Sequence, residues 1–139
     1  MKLELEWRFE DNKEVLEKLI ILDKHAESAI WNKLKSNVFL ESYSLNKDKF
    51  KDFETIEFKN NYELVSKKLS ELSNQINQKI ILTWFSENET LITDMDTFKN
   101  NWDSFFQPSS DDRLIIREDW DWIIYLSHFE CLQYGSKIK

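Results

Sequence analysis

One glycine, one proline and one cysteine are the whole complement of those residue types in 139 positions. With Gly135 and Pro108 standing alone, turns have to be built from Asn, Asp and Ser, which bond to their own backbone and tolerate left-handed conformations. A glycine-rich phosphate loop is excluded, because the backbone there needs several glycines to approach the phosphates. Dinucleotide and Walker-type nucleotide binding go with it. A lone Cys131 excludes an internal disulfide and a cysteine-based zinc cluster. No apolar run approaches the ~20 residues needed to span a bilayer. The opening Met-Lys-Leu-Glu-Leu-Glu alternates, where a secretory leader would show a basic stretch and then an apolar one. The expectation is a cytoplasmic protein.

Basic residues are scarce in one stretch above all. Between Ser86 and Tyr134 eleven carboxylates face three cations, Lys99, Arg113 and Arg117, whereas residues 1–85 are nearly balanced at 15 acids and 14 bases. The net charge of −7 therefore resides in the C-terminal part of the chain. Such a balance speaks against direct binding to nucleic acid or an anionic membrane, both of which want clustered Lys and Arg. Four tryptophans, Trp84, Trp102, Trp120 and Trp122, lie in or just before the acidic stretch. Acid interleaved with tryptophan suits a surface that binds a basic protein, since charge steers the encounter and aromatic anchors supply affinity.

Hydrophobic patterning predicts an α+β fold: one domain, with a mainly antiparallel sheet packed against about three to four helices. Leu3, Leu5, Trp7 and Phe9 alternate as a half-buried strand. Asp11 and Glu14 resemble a capping box ahead of Val15, Leu16, Leu19 and Ile20 at helical spacing. A second helix is expected over His25–Lys35, with Ala26, Ala29, Ile30 and Leu34 inward, and a third over Tyr62–Gln75. Residues 37–59 read as an irregular connection ending in a short strand, Thr55–Phe58. Lys79–Ser86 is the expected central strand, its apolar run continuous and β-rich. Thr90–Thr93 reads as a short paired strand, and Asp94 or Asp96 caps a helix through Phe98, Trp102 and Phe105. Strands at Leu114–Arg117, Trp122–Ser127 and Glu130–Tyr134 end the chain.

Three local motifs bear on function. In Pro108-Ser109-Ser110-Asp111-Asp112, paired carboxylates beside hydroxyls suit a docking loop for Lys or Arg, half of a divalent-metal site, or a plain turn. In Glu118-Asp119-Trp120-Asp121-Trp122, three acids surround Trp120 at a strand start, which reads as an anchor in an acidic ring. His128 and Glu130 share strand parity, and with Asp111 or Asp112 they outline a weak hydrolytic set. No nucleophile elbow or second spaced histidine accompanies them. A hydrogen-bonded strand-end histidine is the blander alternative.

Trp102, Pro-Ser-Ser-Asp-Asp at 108–112, Leu-Ile-Ile at 114–116, Trp-Ile-Ile-Tyr at 122–125 and His128-x-Glu130 together resemble small bacterial immunity-type proteins of polymorphic toxin systems, including contact-dependent growth inhibition. The resemblance covers about residues 98–135. It implies one immunity-like domain over residues 1–139, a non-enzyme that neutralises a cognate toxin domain by tight binding, with no catalytic residue, cofactor or metal. On that basis Asp111, Asp112, Glu118, Asp119, Asp121 and Glu130 meet basic side chains of the toxin, while Trp120 and Trp102 fill apolar pockets. A nuclease is one such toxin, and the aromatic surplus would equally suit a homo-oligomer. Two other classes compete. A nucleic-acid mimic acting on a host nuclease or DNA-binding protein would spread its carboxylates at phosphate-like spacing. A metal-dependent hydrolase would assemble Asp111, Asp112, His128 and Glu130.

Overall fold

The runs Leu114-Ile115-Ile116 and Trp122–Leu126 are apolar at consecutive positions, and the computed structural model shows why. All five residues of Trp122–Leu126 are buried, because the sheet they belong to is covered on both faces. The structure describes residues 9, 12–37, 39–40, 44–73, 78–84, 90–105 and 112–138. In chain order the elements are α1 (Lys13–Glu17), β1 (Ile20–Ile21), α2 (Lys24–Asn37), β2 (Phe39–Leu40), β3 (Ser44–Leu45), a 3-10 turn (Lys47–Lys49), β4 (Phe50–Glu57), α3 (Glu63–Leu72), β5 (Lys79–Trp84), β6 (Thr90–Asp94), α4 (Met95–Phe105), β7 (Arg113–Arg117), β8 (Trp122–Leu126) and β9 (Cys131–Ile138). Among the described residues seven strands form one sheet in the order β1-β6-β5-β7-β8-β9-β4, every neighbouring pair antiparallel, and β2 and β3 pair separately. The expected α+β architecture, an antiparallel sheet with four helices, is the one observed.

On one face Ile80, Leu82, Ile115, Ile124 and Leu132 meet Val65 and Leu69 of α3 and Phe98, Trp102 and Phe105 of α4. On the other, Ile81, Leu114, Ile116, Ile123 and Tyr125 meet Leu34 of α2 and Leu45 of β3. Each such side chain taken fully from water contributes about 1.5–3 kcal/mol. The β2–β3 pair is fixed to the sheet by Gln133, whose side chain accepts from the Leu45 N–H at 2.8 Å and donates to Ser44 Oγ at 3.0 Å.

Several expectations change at the level of elements. The strand expected over residues 3–9 lies outside the described residues except for Phe9, which is buried against Phe105 at 4.7 Å between ring centroids. Ile20 does not continue the first helix. It pairs with Ile92, and Asp23 caps a new helix by accepting the Ala26 N–H at 2.8 Å. Along α2 the inward positions are Glu27, Ile30, Trp31 and Leu34, with Ala29 exposed. The short strand expected at Thr55–Phe58 is an eight-residue strand, Phe50–Glu57. It forms the sheet's edge, where little burial is demanded and charged residues are preferred, so its sequence shows no clean alternation. The final strand extends to Ile138. Among the described residues no helix is long and apolar enough to cross a membrane.

Candidate functional site

The turn between β7 and β8 is where the acid–tryptophan motif folds. With no glycine available, Trp120 itself takes the left-handed conformation, φ 63°, at a cost of order 1–3 kcal/mol for a bulky residue. Its N–H donates to the Arg117 carbonyl at 2.8 Å, and the Asp121 N–H donates to Asp119 Oδ1 at 3.0 Å. The indole lies half-buried at the margin of the α2-side core, with Lys33 Nζ 4.2 Å from its ring centroid. Arg117 stands between two of the acids, Nε 3.3 Å from Asp119 Oδ1 and Nη1 3.5 Å from Asp121 Oδ2. Glu118, Asp119 and Asp121 are solvent-exposed. Four of the expected site residues are thus brought together, and two cations of the chain itself partly offset their charge.

The remaining described members lie at the other end of the same strands. Strand β8 has five residues, so the two ends are separated by about 17 Å. Here Asp112 accepts from the Tyr125 hydroxyl at 2.8 Å, from the His128 N–H at 3.0 Å and from His128 Nδ1 at 2.8 Å. A carboxylate only accepts, so Nδ1 carries the proton. Asp112 thereby ties the β8–β9 turn to the start of β7. Asp111 lies outside the described residues.

Glu130 occupies a left-handed turn position, φ 57°, ahead of β9, so the strand parity expected of it and His128 does not apply. Its Oε2 accepts from the Tyr62 hydroxyl at 2.9 Å. That bond to Glu130, with lesser contributions from burial and the carboxylate charge, holds the Tyr62 phenol above its ordinary value. The rings of the neighbouring residues His128 and Phe129 lie 4.0 Å apart between centroids, tilted by 38°, and Phe129 is 68% exposed. Trp102, expected to enter a partner's pocket, is instead a core residue at 7% exposure. It packs edge-on against Phe58 and Tyr62, and its Nε1–H donates to Ser66 Oγ at 3.1 Å. On helical spacing it shares a face with Phe98 and Phe105, which is the signal that should have placed it inside. Cys131 is half-buried, and burial followed by the charge of Glu57 pushes its thiol up.

Two polar arrangements were not foreseen. Between α2 and the β5–β6 pair, Trp31 Nε1–H donates to Thr83 Oγ1 at 3.0 Å, Thr83 and Thr90 hydroxyls meet at 2.7 Å, and Thr90 donates to Glu27 Oε2 at 2.6 Å. Because the Thr90 proton goes to Glu27, the Thr83 proton goes to Thr90, and the chain runs one way towards the carboxylate. Across the β4 edge, Lys68 Nζ lies 2.7 Å from Glu54 Oε2 and 4.1 Å from the Tyr134 ring centroid. A polar cleft of about 330 Å³ separates α1 from the start of α4. Its Asp94 caps α4, accepting from the Thr97 N–H at 2.7 Å and hydroxyl at 2.8 Å. Among the described residues no three His, Cys, Asp or Glu side chains are grouped as metal ligands.

Compared with known proteins, the chain matches no family model, and no curated protein matches it either.

Proposed function

We propose that this chain is a cytoplasmic immunity-type protein that neutralises a toxin domain by binding it, without catalysis of its own. The observation that carries the reading is the β7–β8 turn, where Glu118, Asp119 and Asp121 face solvent around a half-buried Trp120 held in a strained backbone conformation. Strain kept at an exposed turn is expected where the displayed side chain has a use. Acidic side chains there steer a basic partner, and a standard interface of about 1,600 Å² suffices for tight binding when its anchors are well buried. The way Asp112 is saturated by Tyr125 and His128 favours a structural clasp over the hydrolytic alternative.

One observation favours the nucleic-acid-mimic reading, namely that the acids fall at both ends of the sheet. The cations Arg117 and Lys33, set among them, favour a protein partner, since a phosphate-like row would be broken there. Co-expression with the toxic domain encoded beside this gene tests the proposal. Growth rescue and a stable 1:1 complex are expected. Within that complex, reversing Asp119 and Asp121 to Lys should slow association several-fold and flatten its salt dependence. Absence of both rescue and complex would overturn the reading.

A further inference from the structure

The large hydrophobic side chains most open to solvent include Phe129, at 68%, and Tyr62, at 43%. Both belong to the end of the sheet opposite the acidic tryptophan turn. Phe129 lies against His128, whose ring is fixed by Asp112; Tyr62 is fixed by Glu130 through its hydroxyl and by Phe58 and Trp102 through its ring, at 5.8 and 6.0 Å between centroids. The two are also joined through backbone, since the Phe58 N–H donates to the Glu130 carbonyl at 2.9 Å. Exposed aromatic rings held in one orientation lose little conformational entropy on binding, which is the requirement for an anchor. Around them Glu57 and Glu63 are exposed and Glu130 is half-buried, while Lys59 supplies one opposing charge.

We infer that the β8–β9 turn with Tyr62 is the affinity-bearing surface of this protein. Its occupant is a protein partner presenting an apolar pocket rimmed by Lys or Arg. Charge complementarity selects that chemistry: Glu130 is bonded to Tyr62, Glu63 follows Tyr62 in the chain and Glu57 pairs with Cys131 beside Glu130, in a chain of net charge −7. The inference rests on the toxin-neutralising reading, and it moves the anchors away from the turn at Trp120. Phe129 and Tyr62 would enter the pocket, and Glu57, Glu63 and Glu130 would meet its basic rim.

The test uses the full chain and the purified toxic domain encoded beside its gene, with binding read by calorimetry or surface plasmon resonance. Phe129→Ala and Tyr62→Phe are compared with Asp119→Lys/Asp121→Lys. Phe129→Ala should weaken the complex at least 30-fold with an unchanged melting temperature, because the side chain contributes little to the core. Tyr62→Phe, which keeps the ring and releases it from Glu130, should cost about threefold to tenfold. Glu130→Gln, which keeps an acceptor for Tyr62 and removes the charge, should lower the association rate. Affinity unchanged in Phe129→Ala but lost in the Asp119/Asp121 variant overturns this surface and leaves the toxin-neutralising reading standing. If the wild-type chain forms no complex with that domain, the reading fails and the surface fails with it.

Discussion

Gly135 offers the sharpest test of how the sheet is packed. It sits in β9 between Phe53 of β4 and Ile123 of β8, so its strand is held on both sides. Its φ is not in the left-handed region, and the reason for glycine is space. A Cβ built there lies 2.5 Å from Phe50 Cδ1, 2.6 Å from Cγ and 2.8 Å from Cδ2. Carbon atoms in contact prefer about 3.5–4.0 Å, so the ring has to retreat by about 1 Å. Rotation about the ring axis does not help, because Cγ lies on that axis. Retreat is also resisted, since Phe50 is 3% exposed and packed into the α2-side core. Overpacking of this kind costs about 1–3 kcal/mol, whereas alanine in a strand gains about 0.5–1 kcal/mol over glycine from the unfolded chain. Gly135→Ala should therefore lose about 0.5–2 kcal/mol net, read as a lower urea midpoint with an unchanged slope. Combining it with Phe50→Leu should recover part of the loss relative to the sum of the single changes. A Gly135→Ala protein as stable as the parent, or more stable, would refute the close packing of ring on backbone.

Other perturbations have equally defined outcomes. Thr90→Val removes the donor to Glu27 and leaves a buried carboxylate oxygen facing a methyl group; unfolding in urea should show a loss of about 1–3 kcal/mol, and a neutral result would mean that Glu27 is solvated. Asp94 is held below its ordinary value of 3.8: partial burial alone would raise it, but the Thr97 N–H and hydroxyl, aided by Lys18, prevail. Its folded value is lower than its unfolded one, so its contribution is complete above about pH 4 and disappears as pH falls through the folded value. Asp94→Ala should cost about 1 kcal/mol at pH 7 and progressively less in acid, measured by urea unfolding across pH 2–7. A difference that stays constant with pH would show that the cap is not working as an anion.

Much of the fold was legible because it follows from burial. Strands β5, β6, β7 and β8 and helices α3 and α4 came within a few residues of their expected positions, each driven by an apolar run or a three-and-four spacing. Coverage of the sheet on both faces was already written in the uninterrupted Leu114-Ile115-Ile116 and Trp122–Leu126, runs that a sheet with one wet face would have interrupted with polar residues. The edge strand β4 was hidden because edges are paired by backbone, which leaves no period in the side chains. The expected inward set of α2 contained Ala29 and lacked Glu27; Glu27 stands three, four and seven residues before Ile30, Trp31 and Leu34, and that spacing marks it as inward-facing. At the candidate site the Glu118–Asp121 group was found because its members are adjacent in the chain. The pairings Asp112 with Tyr125 and Glu130 with Tyr62 join positions 13 and 68 residues apart, and nothing in the linear pattern marks them.

For the partner proposed above, fewer carboxylates are left than charge counting along the chain suggests. Of the carboxylates in the acidic stretch, Asp94 closes a helix end, Asp112 ties two strands to a turn, Asp119 and Asp121 flank Arg117, and Glu130 holds Tyr62. These acids replace, in part, what glycine and proline do elsewhere: in a chain with one of each, carboxylates satisfy the backbone and side-chain donors that tight turns leave over. A carboxylate already accepting two or three internal bonds gains less from a partner's lysine than a solvated one, because its lone pairs are occupied and its desolvation still has to be met. Electrostatics alone should then give fast but weak association, and tight binding requires exposed apolar surface held in place. Phe129 and Tyr62 meet that requirement, while Trp102, buried in the core, does not. The salt dependence of the dissociation rate should accordingly be shallow even where that of the association rate is steep.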